Sequence, residues 1–106
     1  MGDELKDVIS NERMEKYFLL SSEARSKATP SVKNDDEEAK LADMLQMFDS
    51  YVSDARHFAA SGDLVSAFGA INYAHAWIDA AVRIGFMNGH GDDHLFTLPA
   101  DEGVGE

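Results

Sequence analysis

The sequence predicts an all-α protein, an up-down-up three-helix bundle, and two patterns support this fold class. Apolar residues recur at three- and four-residue spacing through three long segments, which is the spacing of one helix face. The segments are separated by Thr29-Pro30 and by Ser61-Gly62, residue types that end helices. The chain has 106 residues, which is the size of one domain with a single hydrophobic core.

Helix one is predicted over residues 10–28, after an N-terminal extension at residues 1–9 that we expect to be flexible. Ser10 or Asn11 can cap its first turn, because their side chains accept hydrogen bonds from free backbone N–H groups. The residue before Pro30 avoids the helical region, so the helix ends there. Its buried face is predicted to carry Met14, Tyr17, Phe18, Ser21, Ala24 and Ala28.

Helices two and three are predicted over residues 36–61 and 64–84. Asp35 or Asp36 can cap the first of them, and Asp63 caps the second immediately after Gly62. A connection this short places the two helices side by side in an antiparallel hairpin. The predicted core includes Leu45, Phe48, Phe68 and Ile71.

Residues 87–106 are predicted to form an acidic, Gly-rich tail. Its apolar stretch, residues 95–98, can dock on the bundle, whereas the end of the chain after Pro99 is expected to be flexible.

Composition excludes several classes of function. Twenty acidic and nine basic residues give a net charge of −11, which excludes a general nucleic-acid binder, since phosphate binding needs a basic patch. The same charge disfavours anchoring on an anionic membrane. The chain has no cysteine, so thiol catalysis and disulfides are excluded. The N-terminus lacks the basic and apolar segments of a signal peptide, and we therefore expect a cytoplasmic protein.

Helix three carries a second apolar face, formed by Tyr73, Trp77, Ala80 and Ile84. A helix that is apolar nearly all round is buried nearly all round, yet two neighbouring helices cover only one of its sides. The tail, a second copy of the chain or a different protein can cover the remainder. This surplus apolar surface predicts a protein partner or a homodimer.

Polar residues on helix three suggest an alternative function. Asn72, His75, Asp79 and Arg83 lie along one edge at spacings of three and four. There Asp79 can orient His75 as a general base while Arg83 binds an anion. The simpler interpretation is that Asn72 or Asp79 satisfies His75 at the edge of the core and that Asp79 and Arg83 form an ordinary helix pair.

A second group of side chains, in the loop after helix three, has the composition of a metal site: His90, Asp92, Asp93 and His94. A Gly-flanked loop does not by itself hold a coordination sphere, and we therefore expect a solvated acidic turn with no metal or cofactor.

The junction of helices two and three resembles a known family. The resemblance rests on Ala59 to Phe68, on Ala70-Ile71-Asn72-Tyr73-Ala74-His75 and its continuation to Ala80, and on Glu15-Lys16-Tyr17 and Arg83-Ile84-Gly85. Over residues 10–86 the chain is similar to an archaeal family known as domain of unknown function 357. The resemblance implies a small three-helix bundle of the albumin-binding-module type, and it implies no catalytic residue or cofactor.

No motif in the sequence identifies the function, but the sequence favours one class of function over another. We expect a non-enzymatic protein-interaction module that presents the apolar face of helix three. The alternative is a small-ligand-binding or hydrolytic protein that uses the edge formed by Asn72, His75, Asp79 and Arg83.

Overall fold

The predicted all-α three-helix bundle is confirmed by the computed structural model, which describes residues 9–96. The helices are α1 (Asn11–Lys27), α2 (Asp35–Ala60) and α3 (Leu64–Arg83). Two short strands, β1 (Thr29–Pro30) and β2 (Met87–Asn88), form an antiparallel ribbon that the sequence analysis did not predict. The expectations of flexibility at residues 1–9 and after Pro99 concern residues outside the described range, apart from Ile9.

Each helix begins at a side chain that caps it. The side-chain oxygens of Ser10, Asn34 and Asp63 accept hydrogen bonds from the backbone N–H three residues later, at 3.1, 2.8 and 3.1 Å. The cap of α2 is therefore Asn34, and not the predicted Asp35 or Asp36. At Asp63, hydrogen bonds from Ser66 hold the pKa of the carboxyl below its usual value, because they stabilise the ionised form.

Helix α3 is the central element of the fold. Both α2 and α1 pack closely along α3, whereas the backbones of α1 and α2 approach each other at few points. Among the described residues the largest fully buried side chains are Ile71, Ile78 and Val82, all on α3. Their face is the one on which the two other helices converge, and it organises the core.

The core has two adjoining clusters. One lies around Met14, Phe18 and Ile71, and the other around Phe48 and Ile78. Of the four residues predicted for the core, Phe48 and Ile71 are buried, at 4% and 1% exposed. Leu45 and Phe68 are only half-buried, because both lie at the margin of their clusters.

The chain after α3 returns to the core. Gly85 adopts a left-handed conformation with φ of 89°, and β2 then pairs with β1. Beyond the ribbon, Leu95 and Phe96 are 7% and 4% exposed and belong to the same cluster as Ile78. The other two residues of the predicted docking stretch 95–98 lie outside the described part of the chain.

Two glycines are expected to respond to alanine in opposite directions. A Cβ at Gly89 would lie 2.8 Å from the Phe96 ring and 3.1 Å from Val82, so Gly89→Ala forces buried side chains apart. We expect it to lower the free energy of unfolding by about 1–3 kcal/mol. Gly69 lies within α3 with open space beside it, and Gly69→Ala should raise that free energy by about 0.5–1 kcal/mol.

Denaturant unfolding of the two variants and the wild type measures both changes. A Gly89→Ala protein as stable as the wild type would contradict the placement of Phe96 over Gly89, and a destabilised Gly69→Ala protein would contradict the open space beside Gly69.

Candidate functional site

One side of α3 is largely left uncovered by the other helices, and we call it the outer face. Its large side chains are well exposed: Val65 at 70%, Tyr73 at 52% and Ile84 at 57%. Small exposed residues lie between them. Together the outer face comprises Val65, Gly69, Tyr73, Ala76, Ala80 and Ile84, which follow one another at spacings of four, four, three, four and four. This spacing keeps them on one continuous stripe of the helix.

The six residues of the outer face are uncharged, but a charged residue adjoins them. Within α3 the charged residues are Asp79, which is half-buried, and Arg83, which is exposed three residues after Ala80 and so lies along the edge of the stripe. The helix is apolar nearly all round, and its buried positions already accommodate α1 and α2. The outer face is therefore the apolar surface that those helices leave uncovered.

The four residues predicted as an interaction surface do not share one environment. Tyr73, Ala80 and Ile84 lie on the outer face, whereas Trp77 lies at its border and is partly buried against the main core cluster. The Tyr73 ring makes edge-on contacts with Tyr51 of α2 and with Trp77, at centroid distances of 4.5 and 6.4 Å. The buried Nε1 of Trp77 has no hydrogen-bond acceptor among residues 9–96.

The described part of the tail docks on a different side of α3 from Trp77. Leu95 accepts a hydrogen bond from His75 through its carbonyl oxygen, and Phe96 lies close to Gly89, which is itself close to Val82. Positions 75 and 77 are about 200° apart around a helix, so they face opposite sides. Leu95 therefore lies on the side of α3 opposite to Trp77.

His75 joins three segments of the chain. Its Nδ1 is 3.2 Å from the hydroxyl oxygen of Ser21 on α1, and its Nε2 is 2.8 Å from the carbonyl oxygen of Leu95. A carbonyl oxygen can only accept, so Nε2 carries a proton and donates it. In the neutral imidazole Nδ1 then accepts from the Ser21 hydroxyl. Both ring nitrogens are thus occupied by protein groups.

A cleft of about 150 Å³ lies beside His75. This volume is about half the lower limit for drug-sized ligand sites, roughly 300 Å³. The cleft brings together residues from α1, α3 and the segment after β2: Tyr17, Leu20, Ser21, Ile71, Asn72, His75, His94 and Leu95. Its size fits water or a very small ligand.

The predicted polar edge is only partly assembled in this cleft. Asn72 and His75 line it, but the Asn72 amide donates to the carbonyl of Phe68 in its own helix, at 2.9 Å. Asp79 and Arg83 are not among the lining residues. The hydrogen bonds of His75 go to Ser21 and Leu95, and not to Asn72 or Asp79 as the simpler interpretation expected.

Sequence reasoning missed the partners that other segments bring to His75. Ser21 lies 54 positions away in the chain, and no spacing rule within α3 reveals it. The available signal was a serine on an otherwise apolar helix face, since a buried hydroxyl requires a hydrogen-bond partner. A Ser–His pair has the composition of a nucleophile and its base. Ser21 is 3% exposed, however, which leaves its hydroxyl almost no surface for a substrate.

The four metal-type side chains of the loop after α3 do not converge. His90 Nε2 lies 2.9 Å from the Thr29 hydroxyl, Asp92 pairs with Lys27, and His94 lines the cleft beside His75. Asp93, the fourth member, is exposed. Over the described residues no group of three His, Asp or Glu side chains is arranged to hold a metal ion.

Asp92 stabilises the turn that places Leu95 in the core. One carboxylate oxygen accepts from the backbone N–H groups of His94 and Leu95, at 3.0 and 3.1 Å, and the other accepts from Lys27 Nζ at 2.8 Å. The hydrogen bond from Lys27 is the largest cause of a lowered pKa for the Asp92 carboxyl, against the opposing effect of its partial desolvation.

Fold and site together define a small all-α bundle with one uncovered apolar helix face and a narrow polar cleft. The chain belongs to the family described as protein of unknown function (DUF357), whose profile matches residues 16–87. The match runs from the first half of α1 to β2, and it confirms the resemblance found in the sequence. No curated protein and no solved structure matches the chain. In the part of the chain that is described, no helix has the length and apolar character to cross a membrane.

The lowered pKa of Asp92 predicts an acid-sensitive turn. A carboxyl whose pKa is lower in the folded than in the unfolded state stabilises the fold above its unfolded pKa, about 3.9. That stabilisation is lost as pH falls through the lower folded value. We therefore expect the wild-type melting temperature to fall between about pH 5 and pH 2, and to fall less steeply in Asp92→Asn.

The matched control is Asp93→Asn, which removes the same charge from the neighbouring exposed position. Melting curves followed by circular dichroism should show the wild-type slope for this control. Equal slopes for all three proteins would show that Asp92 does not stabilise the turn.

Proposed function

We propose that this protein is a non-enzymatic interaction module that docks an apolar helix on the outer face of α3. The observation that carries this proposal is the apolar stripe from Val65 to Ile84, whose large side chains are more than half exposed. At 1.5 Å per residue the stripe is about 28 Å long, which is the length of a five-turn helix contact. Packing a helix on this stripe removes its apolar surface from water, which is energetically favourable.

The order of side-chain sizes along the stripe fits a second copy of the chain. If two outer faces pair in antiparallel fashion, Val65 lies opposite Ile84 of the second copy, and Gly69 lies opposite Ala80. Tyr73 then lies opposite Ala76, so that each large ring meets a small residue. In this arrangement every contact between the two chains occurs twice, once in each direction. Such repetition is characteristic of a two-fold symmetric interface. The occupant that we propose is therefore a second copy.

Charge modulates this association. Each chain carries a net charge of −11, so two copies repel each other, and the six residues of the outer face are themselves uncharged. Salt at about 0.1 M limits the range of such repulsion to about 10 Å. Dimer formation should therefore strengthen as salt is added from a low concentration.

The alternative function, ligand binding or hydrolysis at the polar edge, has one observation in its favour. Ser21 and His75 are within hydrogen-bond distance beside a cleft. The small volume of that cleft and the shielding of Ser21 favour a structural role, in which His75 links α1, α3 and the segment that contains Leu95.

Several expectations from the sequence stay predictions. These are the cytoplasmic location, the archaeal origin, the lack of enzymatic activity and cofactors, and the absence of nucleic-acid and membrane partners.

The dimer is tested by one charge on the outer face. Tyr73→Glu places two carboxylates at the centre of the antiparallel contact, and it should weaken association at least tenfold. Gln46→Glu, at an exposed position of α2, adds the same charge elsewhere and should leave association unchanged. Sedimentation equilibrium at several salt concentrations measures both, and circular dichroism checks that both variants fold.

A third variant, truncated after Phe96, tests whether a second copy of the chain or the tail occupies the outer face. It should still dimerise. A wild type that stays monomeric at high concentration and high salt would contradict self-association, and a monomer that dimerises only after truncation would assign the outer face to residues 97–106.

A further inference from the structure

Two arginine side chains bridge the space between α1 and α2. The Arg56 guanidinium of α2 lies over the Phe18 ring of α1, 4.6 Å from its centroid. About two turns further along α1, the Arg25 guanidinium lies 6.0 Å from the centroid of Phe48 on α2. Each helix thus contributes one phenylalanine and one arginine to a reciprocal pair of cation–π contacts.

The two arginine–phenylalanine contacts lie at the ends of a compartment between α1 and α2. Its volume of about 390 Å³ is within the range of small-molecule sites. Its apolar lining consists of Phe18, Phe48 and Val52. The α1 side adds the hydroxyl groups of Ser22 and Ser26, both exposed residues. The compartment is therefore apolar in the middle, with a guanidinium at each end.

The guanidinium groups have spare hydrogen-bond donors. No carboxylate of residues 9–96 lies within 4 Å of Arg56, although residues 41–106 contain ten acidic and only two basic residues. Among residues 9–96, Asp49 supplies a carboxylate 3.6 Å from Arg25 Nε, and no described residue accepts a hydrogen bond from that Nε. Asp49 is itself 63% exposed, so this ion pair contributes little to stability.

We infer that the compartment between α1 and α2 binds a small amphipathic oxyanion, with a carboxylate or phosphate group on an apolar body. Arginine presents its donors in a planar fork that matches both groups, and stacking on a ring holds that fork in place before the ligand arrives. The apolar lining then covers the body of the ligand. Neither feature belongs to the outer face of α3, so this inference is independent of the proposed dimer.

The geometry favours a small molecule over a partner helix. The bridged positions Phe18 and Arg25 are seven residues apart on α1, which corresponds to about 10 Å. A helix laid along the space between α1 and α2 would displace both arginine–phenylalanine contacts. A molecule the size of one aromatic ring with one anionic group fits between them.

Three probes separate the contributions of charge and apolar body. Phenyl phosphate carries both, inorganic phosphate carries the anion alone, and benzyl alcohol carries the ring without charge. In titrations followed by amide chemical shifts, phenyl phosphate should bind at least tenfold more tightly than either other probe. Its largest shifts should fall at the amides of Ser22, Ser26 and Val52. Equal affinity for inorganic phosphate, or shifts confined to other segments, would overturn the inference.

Variants of the arginines test the site itself. Arg56→Gln and Arg25→Gln should each weaken phenyl phosphate binding about tenfold or more, since each removes charged donors. Arg13→Gln is the matched control, because Arg13 also lies over a ring of α1, 5.8 Å from the Tyr17 centroid, but outside the compartment. If Arg13→Gln weakens binding as much as the other two, the effect is one of net charge and the inference is wrong.

Thermal melting of each variant shows whether a loss of binding reflects unfolding. Tyr73→Glu should keep the wild-type affinity for phenyl phosphate whether or not the protein dimerises, so the two proposals fail separately.

Discussion

The burial of one face of α3 is the interaction on which the rest of the structure depends. Ile71, Ile78 and Val82 lose nearly all contact with water because α1, α2 and the segment after β2 all pack around the same helix. Since the backbones of α1 and α2 approach each other at few points, neither helix has another core to join. A change that weakens this face therefore loosens every segment at once, whereas a change on α1 or on the segment after β2 loosens mainly that segment.

The central position of α3 also explains the two unusual surfaces of the molecule. A helix with two neighbours on one side keeps its other side uncovered, and in this chain that side is apolar. The two neighbours are in turn held apart, and long side chains fill part of the space between them. The outer face and the arginine-bounded compartment are thus two results of one arrangement.

Local signals in the sequence determined the helices well. The spacing of apolar residues and the caps at Ser10 and Asp63 predicted the three helices and their ends to within a residue or two, because those signals act over one or two turns. The pairing of Ser21 with His75 and the β1–β2 ribbon depend on contacts between distant parts of the chain. Such contacts depend on how the segments pack in three dimensions, and the spacing of residues within one helix does not predict them. Of the four residues expected to form an interaction surface, Tyr73, Ala80 and Ile84 are exposed, whereas Trp77 is partly buried against the core.

The tight turn at Ser61-Gly62 has a consequence for the order of folding. It places α2 and α3 in contact through residues close in sequence, so that their association closes only a short loop. The contacts of His75 with Ser21 and of Lys27 with Asp92 close loops of 54 and 65 residues. The α2–α3 hairpin is therefore expected to form first and to open last, and native-state hydrogen exchange would show this as slower exchange in the hairpin than in α1.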